Sequence, residues 1–151
     1  MKKIFACLFL ISFICGPASS QNVKAKARLN HIALYVVDLK ISSDFYSQII
    51  GLDTIPEPFH DGKHTWFGVG PKSHLHVISG ANQKTEHDKN SHLCFSVASV
   101  LDFITVLNKN NVPFENWAGE KSTYTNRVDG VKQVYFRDPD GFWVEINDAR
   151  E

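Results

Sequence analysis

Apolar and polar residues alternate along residues 29–37, which predicts a strand with His31 on the face opposite its aliphatic row. Asp38 is a residue type that favours the first position of a helix, and apolar residues then recur at helical spacing over residues 39–50. Gly51 can adopt the left-handed backbone conformation that commonly follows the last turn of a helix. The pattern therefore predicts a strand and then a helix that ends before Gly51.

Three short strands are predicted after this helix, at residues 52–56, 65–69 and 74–79. Prolines weaken the first of them, whereas the turn Gly-Pro-Lys-Ser joins the other two. Residues 80–90 are polar and show no apolar period, which predicts a loop between two halves of the chain.

The same order of elements begins again in the second half. Residues 91–97 alternate as a strand, and residues 100–110 carry apolar residues at helical spacing after the N-cap residue Ser99. A short strand is predicted at residues 112–114. Residues 115–130 are mostly polar and predict a long, mobile loop.

The chain then forms a predicted β-hairpin over residues 131–148, with the turn Asp-Pro-Asp-Gly at its tip. The period of two puts Val144 and Ile146 on one face of the last strand and Glu145 on the other. A carboxylate at such a position most often lies on a solvated face. The histidines of the chain indicate a different role for Glu145.

The two halves match in the order of their elements and in the sequence of their first and last strands. Superposing them pairs His31 with His92 and His76 with Glu145. Imidazole nitrogens and a carboxylate at equivalent positions predict a site for one divalent metal ion, such as zinc, iron, nickel or manganese. His74 lies on the same strand face as His76 and is a candidate alternate ligand or a support for the ligands.

Residues 1–20 combine a basic start, an apolar run and small residues before Gln21, which is typical of a cleaved export signal. Cys15 could mark a lipoprotein anchor, but the bulky Phe13 and Ile14 before it fit a lipid-attachment site poorly. The sequence therefore favours an exported, unanchored chain in the periplasm or outside the cell. Residues 21–28 are polar and predict a loose lead-in.

Charge and cysteine content exclude some classes of partner and one source of stability. Lys2 and Lys3 are the only charged residues of the export signal, so its removal leaves 14 of the 16 basic residues against 16 acidic ones, a net charge of −2. This balance argues against nucleic acid or an anionic membrane surface as a partner. Cys94 remains as the one cysteine, so no internal disulfide stabilises the single domain that a chain of this length predicts.

Three stretches of the chain, LNHIALYVVDLKISSDFYSQIIGL, SHLCFSV and VYFRDPDGFWVEI, resemble the vicinal oxygen chelate (VOC) superfamily. This superfamily includes glyoxalase I, methylmalonyl-CoA epimerase, fosfomycin-resistance thiol transferases, extradiol dioxygenases and bleomycin-binding resistance proteins. The resemblance covers residues 29–148 and implies an α+β fold, in which paired βαβββ modules form curved sheets around a metal-binding cleft. Module one would be residues 29–80 and module two residues 91–148.

The resemblance also implies roles for single residues. His31 and His92 stand at the first-strand metal ligands of the two modules, and Glu145 stands at the last-strand glutamate. His76 stands where glyoxalase I carries a glutamate, so the charge of the site would differ by one unit. The aromatic residues that would line the cleft or pack in the core are Trp66, Tyr135 and Trp143.

Two positions argue against a glutathione adduct as the substrate. Tyr35 and Gly80 stand where bacterial glyoxalase I uses an arginine and an asparagine to bind the glutathione carboxylate. Without the arginine, a bound carboxylate loses a charge-assisted, bidentate contact. The fosfomycin transferases also fit poorly, because Ala33 stands where a substrate-contacting threonine is expected.

The resemblance, with the predicted export signal, thus implies an exported, metal-dependent, glyoxalase-like lyase or isomerase that acts on a small substrate with vicinal oxygens through an enediolate-type intermediate, with Glu145 or His76 moving the proton. Extradiol-type ring cleavage at His31, His92 and Glu145 is one alternative, although residues 125–130 lack the histidine of its signature. A metal-free protein that sequesters a ligand is the other. Two modules can close the cleft within one chain or across a homodimer.

Overall fold

The computed structural model describes residues 26–150, and the predicted export signal, with Cys15, lies outside this range. The described chain has an α+β fold of two curved sheets, as the sequence predicts, and each half of the chain builds one sheet. Within residues 26–150, no helix is long and apolar enough to cross a membrane.

Module one contains the strands β1 (His31–Val36), β2 (Thr54–Ile55), β3 (His64–Val69) and β4 (Ser73–Ser79). They form a sheet in the order β1-β4-β3-β2. β1 runs parallel to β4, and the other neighbouring strands are antiparallel. β1 therefore lies at an edge of the sheet.

The helix of module one is not regular over its whole predicted length. It begins as α1 (Leu39–Asp44) after Asp38, whose side chain accepts a hydrogen bond from the Ile41 amide at 3.0 Å. It then widens into a π-helical segment, Phe45–Ile49. The wider turn lets two consecutive residues of this segment, Phe45 and Tyr46, both reach the core.

Module two contains the strands β5 (His92–Ser96), β6 (Phe114–Glu115), β7 (Thr125–Asn126), β8 (Lys132–Arg137) and β9 (Trp143–Asn147), with helix α2 (Val100–Lys109) after β5. The sheet order is β5-β9-β8-β6, and β7 also pairs with β8. β5 is an edge strand, parallel to β9.

The prediction that residues 115–130 form one long, mobile loop is wrong. β7 lies inside this range and pairs antiparallel with β8, and Glu115 forms a β-bridge with Lys121. β7 is only two residues long and pairs through its backbone, so it leaves no periodic side-chain pattern that a sequence could show.

The turn Asp-Pro-Asp-Gly of module two is bound to the helix of module one, and we call this contact the clasp. Asp140 accepts hydrogen bonds from the Val37 amide at 2.7 Å and from the Ser42 hydroxyl at 2.5 Å. The Tyr46 hydroxyl donates to Asp138 at 2.8 Å. Burial raises the pKa of Asp138, even though its carboxylate accepts hydrogen bonds from the Tyr46 hydroxyl and from the Phe142 and Asp140 amides. The clasp thus joins the modules through buried carboxylates that have polar partners.

Candidate metal and substrate site

His31 and His76 lie side by side on one face of module one. His31 is the first residue of β1, and His76 lies on the neighbouring β4 as the register partner of Ala33. Their imidazole rings are stacked, with centroids 4.2 Å apart and planes 7° apart. The alternation along both strands turns these imidazoles away from the buried aliphatic residues of the sheet.

One nitrogen atom of His76 is buried without a partner. Nε2 makes no hydrogen bond to any residue between 26 and 150. Burial lowers the pKa of His76, and the neighbouring His31 and His74 lower it further, so the ring is neutral at pH 7. A neutral imidazole with an unused nitrogen fits the requirement of a divalent metal ion for a ligand.

The ring of His31 is oriented by its neighbour. Its Nδ1 atom lies 2.8 Å from the side-chain oxygen of Asn30. Because an amide oxygen only accepts, Nδ1 carries the proton and Nε2 presents a lone pair. The second histidine of the pair, His76, has an aromatic neighbour. Trp66 stacks on its ring, with ring centroids 3.9 Å apart. The predicted wall residue Trp66 therefore lies directly against a candidate ligand.

Glu145 is only 4% exposed although it lies in β9 on the face opposite the core. Gln133 and Asn147 donate to Oε1 at 2.6 and 2.9 Å, and the Tyr135 hydroxyl donates to Oε2 at 2.7 Å. Burial alone would raise the pKa of Glu145, but these hydrogen bonds, with one from Cys94, outweigh it and lower the pKa. The interpretation of Glu145 as an ordinary solvated carboxylate is wrong.

His92 places a ring nitrogen against this carboxylate. Its Nδ1 atom lies 2.7 Å from the backbone oxygen of Lys89, and its Nε2 atom lies 3.1 Å from Oε2 of Glu145. A carbonyl oxygen only accepts, so Nδ1 carries the proton. Two acceptor atoms then face each other unless a second proton or a metal ion lies between them. The separation suits either a proton shared between His92 and Glu145 or a metal ion that both residues bind.

The four predicted ligands form two pairs rather than one cluster. Among residues 26–150, no group of three or more histidine, cysteine, aspartate or glutamate side chains is placed to hold a metal ion. His31 and His76 belong to the sheet of module one, and His92 and Glu145 to that of module two. A groove of about 770 Å³ runs between the modules, and of the four predicted ligands His92 alone is among its lining residues.

Three residues around Glu145 are absent from the sequence prediction. Asn147 follows two positions later on the same face, Gln133 is the register partner of Asn147, and Cys94 on β5 is the register partner of Glu145. Tyr135, predicted as a wall residue, is also a register partner of Glu145. These contacts follow from the strand register, which a single sequence does not fix across separate strands.

Comparison with known proteins shows what the chain is similar to. The model of the family described as the glyoxalase/bleomycin resistance protein/dioxygenase superfamily matches residues 28–146. A lactoylglutathione lyase from Pseudomonas putida is 26% identical in an alignment that covers 86% of this chain and 87% of the relative.

Solved structures show the same fold. A glyoxalase/dioxygenase from Nostoc punctiforme has a TM-score of 0.66 at 24% identity, with 93% of this chain and 99% of that chain covered. The oxidase ChaP-H1 has a TM-score of 0.67 at 22% identity and covers 83% of this chain and 98% of its own.

Proposed function

The chain belongs to the glyoxalase/bleomycin resistance protein/dioxygenase superfamily, and we propose that it is an exported, metal-dependent lyase or isomerase of the glyoxalase-like type. Its substrate would be a small molecule with vicinal oxygens, and its cofactor one divalent ion such as zinc, iron, nickel or manganese. One observation carries the proposal, namely that Nε2 of His92 faces Oε2 of Glu145 at 3.1 Å.

The residues that would hold the ion are His31, His76, His92 and Glu145. The buried, unpartnered Nε2 of His76 and the facing atoms of His92 and Glu145 fit this role. When bound, the ion supplies a Lewis acid that polarises the substrate oxygens.

Glu145 is the residue that we assign to proton transfer. Its hydrogen bonds keep the carboxylate ionised, which is the form that can accept a proton from the carbon atom beside a carbonyl group. Gln133 and Tyr135 hold the two carboxylate oxygens in place during the transfer. His76, which is neutral because burial lowers its pKa, is the second residue able to accept the proton.

We infer that the complete ligand set forms between two copies of the chain. β1 and β5 are edge strands, and each carries the first ligand of its module. β1 also exposes apolar side chains, with Ile32 at 37% and Tyr35 at 58% exposure. If β1 of one copy lies beside β5 of the other, the histidine pair of one chain meets the His92–Glu145 pair of the partner. Such a dimer holds two sites.

Extradiol-type ring cleavage is the second candidate. The hydrogen bond of 2.7 Å between the Tyr135 hydroxyl and Glu145 supports it, because it places a phenol beside the carboxylate of a site with two histidines and one carboxylate. Residues 125–130 still lack the acid/base histidine that this chemistry needs. A ligand-sequestering role without metal is the third candidate.

Two measurements test the proposal. The first is the metal content of the protein purified without a histidine tag. Less than about a tenth of an equivalent of transition metal, with no loss of thermal stability on chelation, would contradict both enzyme candidates.

The second measurement is hydrogen exchange in D2O. A panel of small hydroxyketones and hydroxyaldehydes should exchange the proton beside the carbonyl group in the presence of the metal-loaded protein, and Glu145→Ala should abolish the exchange. Oxygen uptake with a catechol panel under ferrous iron, also lost in Glu145→Ala, would instead establish ring cleavage.

A further inference from the structure

A second cavity, of about 320 Å³, opens on the face of the module-two sheet that carries Glu145. Tyr135 and Trp143 form part of its wall, and the hydroxyl of the same Tyr135 donates to Glu145. Tyr135 therefore connects the cavity with Glu145, which is not itself a lining residue. Its lining residues are Pro113, Phe114, Glu115, Lys121, Ser122, Tyr135, Phe136, Arg137 and Trp143.

Arg137 lines this cavity and carries its one guanidinium group. The group lies over the ring of Trp143, with its central carbon atom 4.6 Å from the ring centroid. One nitrogen, Nη1, donates to Glu86 at 2.7 Å, and the Glu86 side chain is 89% exposed. Within the described part of the chain, the other guanidinium N–H groups have no hydrogen-bond acceptor. Arg137 thus keeps donors for a planar anion.

The remaining charges at the cavity leave it positive. Lys89 forms an ion pair with Glu115, so these two charges cancel. Arg137 and the exposed Glu86 form a second pair. Lys121, which the β-bridge to Glu115 brings to the cavity, adds one positive charge. A net charge of one unit neutralises a bound monoanion, whereas the dianion of a phosphate monoester would leave one negative charge uncompensated.

We propose that this cavity binds the carboxylate of a small organic acid, with Arg137 as its anchor. The inference rests on the proposed function, since it makes the carboxylate a part of the substrate and holds the rest of that molecule beside Tyr135, the residue that donates to Glu145. The apolar part of the lining, which includes Pro113 and Trp143, would take up a hydrocarbon portion next to the carboxylate. The anchor differs in place from Tyr35 and Gly80, the positions that correspond to the glutathione-binding arginine and asparagine of bacterial glyoxalase I.

Binding of benzoate tests this inference. Its affinity is measured by titration calorimetry for the whole protein as purified and again with excess EDTA, so that a carboxylate bound to a metal is distinguished from one bound in the cavity. Benzamide serves as the neutral analogue and phenyl phosphate as the dianionic one. Arg137→Gln should weaken benzoate binding by about tenfold, because a charge-assisted bidentate contact is lost.

Arg127→Gln is the matched control, since Arg127 is exposed, pairs with Asp129 and does not line the cavity. It should bind benzoate like the unchanged protein. Equal affinity for benzamide and benzoate, benzoate binding that is unchanged in Arg137→Gln, or binding that disappears with EDTA would each overturn the inference. Tighter binding of phenyl phosphate would overturn the assignment to carboxylates. Zinc affinity measured on the same Arg137→Gln sample should be unchanged, so loss of the cavity site and failure of the metal site are distinguishable.

Discussion

Nε2 of His92 lies 3.1 Å from Oε2 of Glu145, while Nδ1 of the same ring is fixed by the backbone oxygen of Lys89 at 2.7 Å. The ring therefore cannot turn away from the carboxylate without breaking a hydrogen bond. Two potential ligand atoms are thus held at a separation that suits a shared cation.

Removing a residue that supports Glu145 should weaken the metal site without removing a ligand. In Gln133→Ala, the carboxylate loses the donor at 2.6 Å, and we expect the affinity for zinc to fall by roughly 10–100-fold. The measurement is competition with a chromophoric chelator. Gln48→Ala, at an exposed glutamine of the π-helical segment, is the control and should bind zinc normally. Equal affinities in both variants would contradict a supporting role for Gln133.

Mixing two defective chains should restore sites if two copies share them. His76→Ala and Glu145→Ala, each inactive alone, are unfolded and refolded together. In a mixed dimer, one site takes the intact residues of both chains, so random pairing should restore about a quarter of the wild-type hydrogen exchange. Refolding His76→Ala with itself should restore none. Absence of recovery in the mixture, despite a dimeric mass by light scattering, would place the site within a single chain.

Cys94 should react slowly with alkylating agents although part of the residue is exposed. Burial and the charge of Glu145 raise the pKa of its thiol from 9.0 to about 12, so we expect alkylation at pH 8 to be roughly a thousandfold slower than in the unfolded chain. The rate should rise with pH up to about that value.

The variant Glu145→Gln removes the negative charge beside Sγ and should accelerate this reaction. Rates of iodoacetamide labelling, followed by mass spectrometry across the pH range, give the thiol pKa directly. Glu115→Gln is the control, because that carboxylate pairs with Lys89 rather than with Cys94. An unchanged thiol pKa in Glu145→Gln would show that the carboxylate does not act on the thiol.

The clasp should contribute measurably to stability. Tyr46→Phe leaves the buried carboxylate of Asp138 without its hydroxyl donor, and we expect the free energy of unfolding to fall by about 1–3 kcal/mol. Urea unfolding followed by tryptophan fluorescence measures this change. Tyr124→Phe is the matched control, because the Tyr124 hydroxyl makes no hydrogen bond within residues 26–150. Equal losses in both variants would argue against a specific role of the clasp.

The sequence predicts the fold well because its signals are local. The alternation along the last strand correctly separates Val144 and Ile146 from Glu145, and Asp38 and Ser99 are N-caps as expected. The depth of Glu145 is not predictable in this way, because it depends on residues of other strands. The sequence also does not predict that the four ligands lie in two separate pairs. The duplication of the two halves indicates which positions are equivalent, but not how far apart they lie in space.

The turn before Glu145 also makes contacts that the sequence does not predict. Sequence reasoning assigns Asp138 and Asp140 to the register of a hairpin, and the structure adds that they reach across to module one. The backbone conformation and the close surroundings of Gly141 require a glycine at this position. Its φ is 95°, and a Cβ atom there would lie 2.8 Å from the backbone oxygen of Thr85. The segment that connects the modules therefore passes directly over this turn.

The division of the ligands between two modules has a consequence for mixtures of normal and damaged copies in one cell. If each site draws on two chains, a copy damaged in only one module still leaves one working site in every mixed dimer. A copy damaged at both His76 and Glu145 leaves none, because each site of the mixed dimer then lacks one contributor. Such an allele would act as a dominant inhibitor of the intact gene, whereas either single lesion would be partly masked.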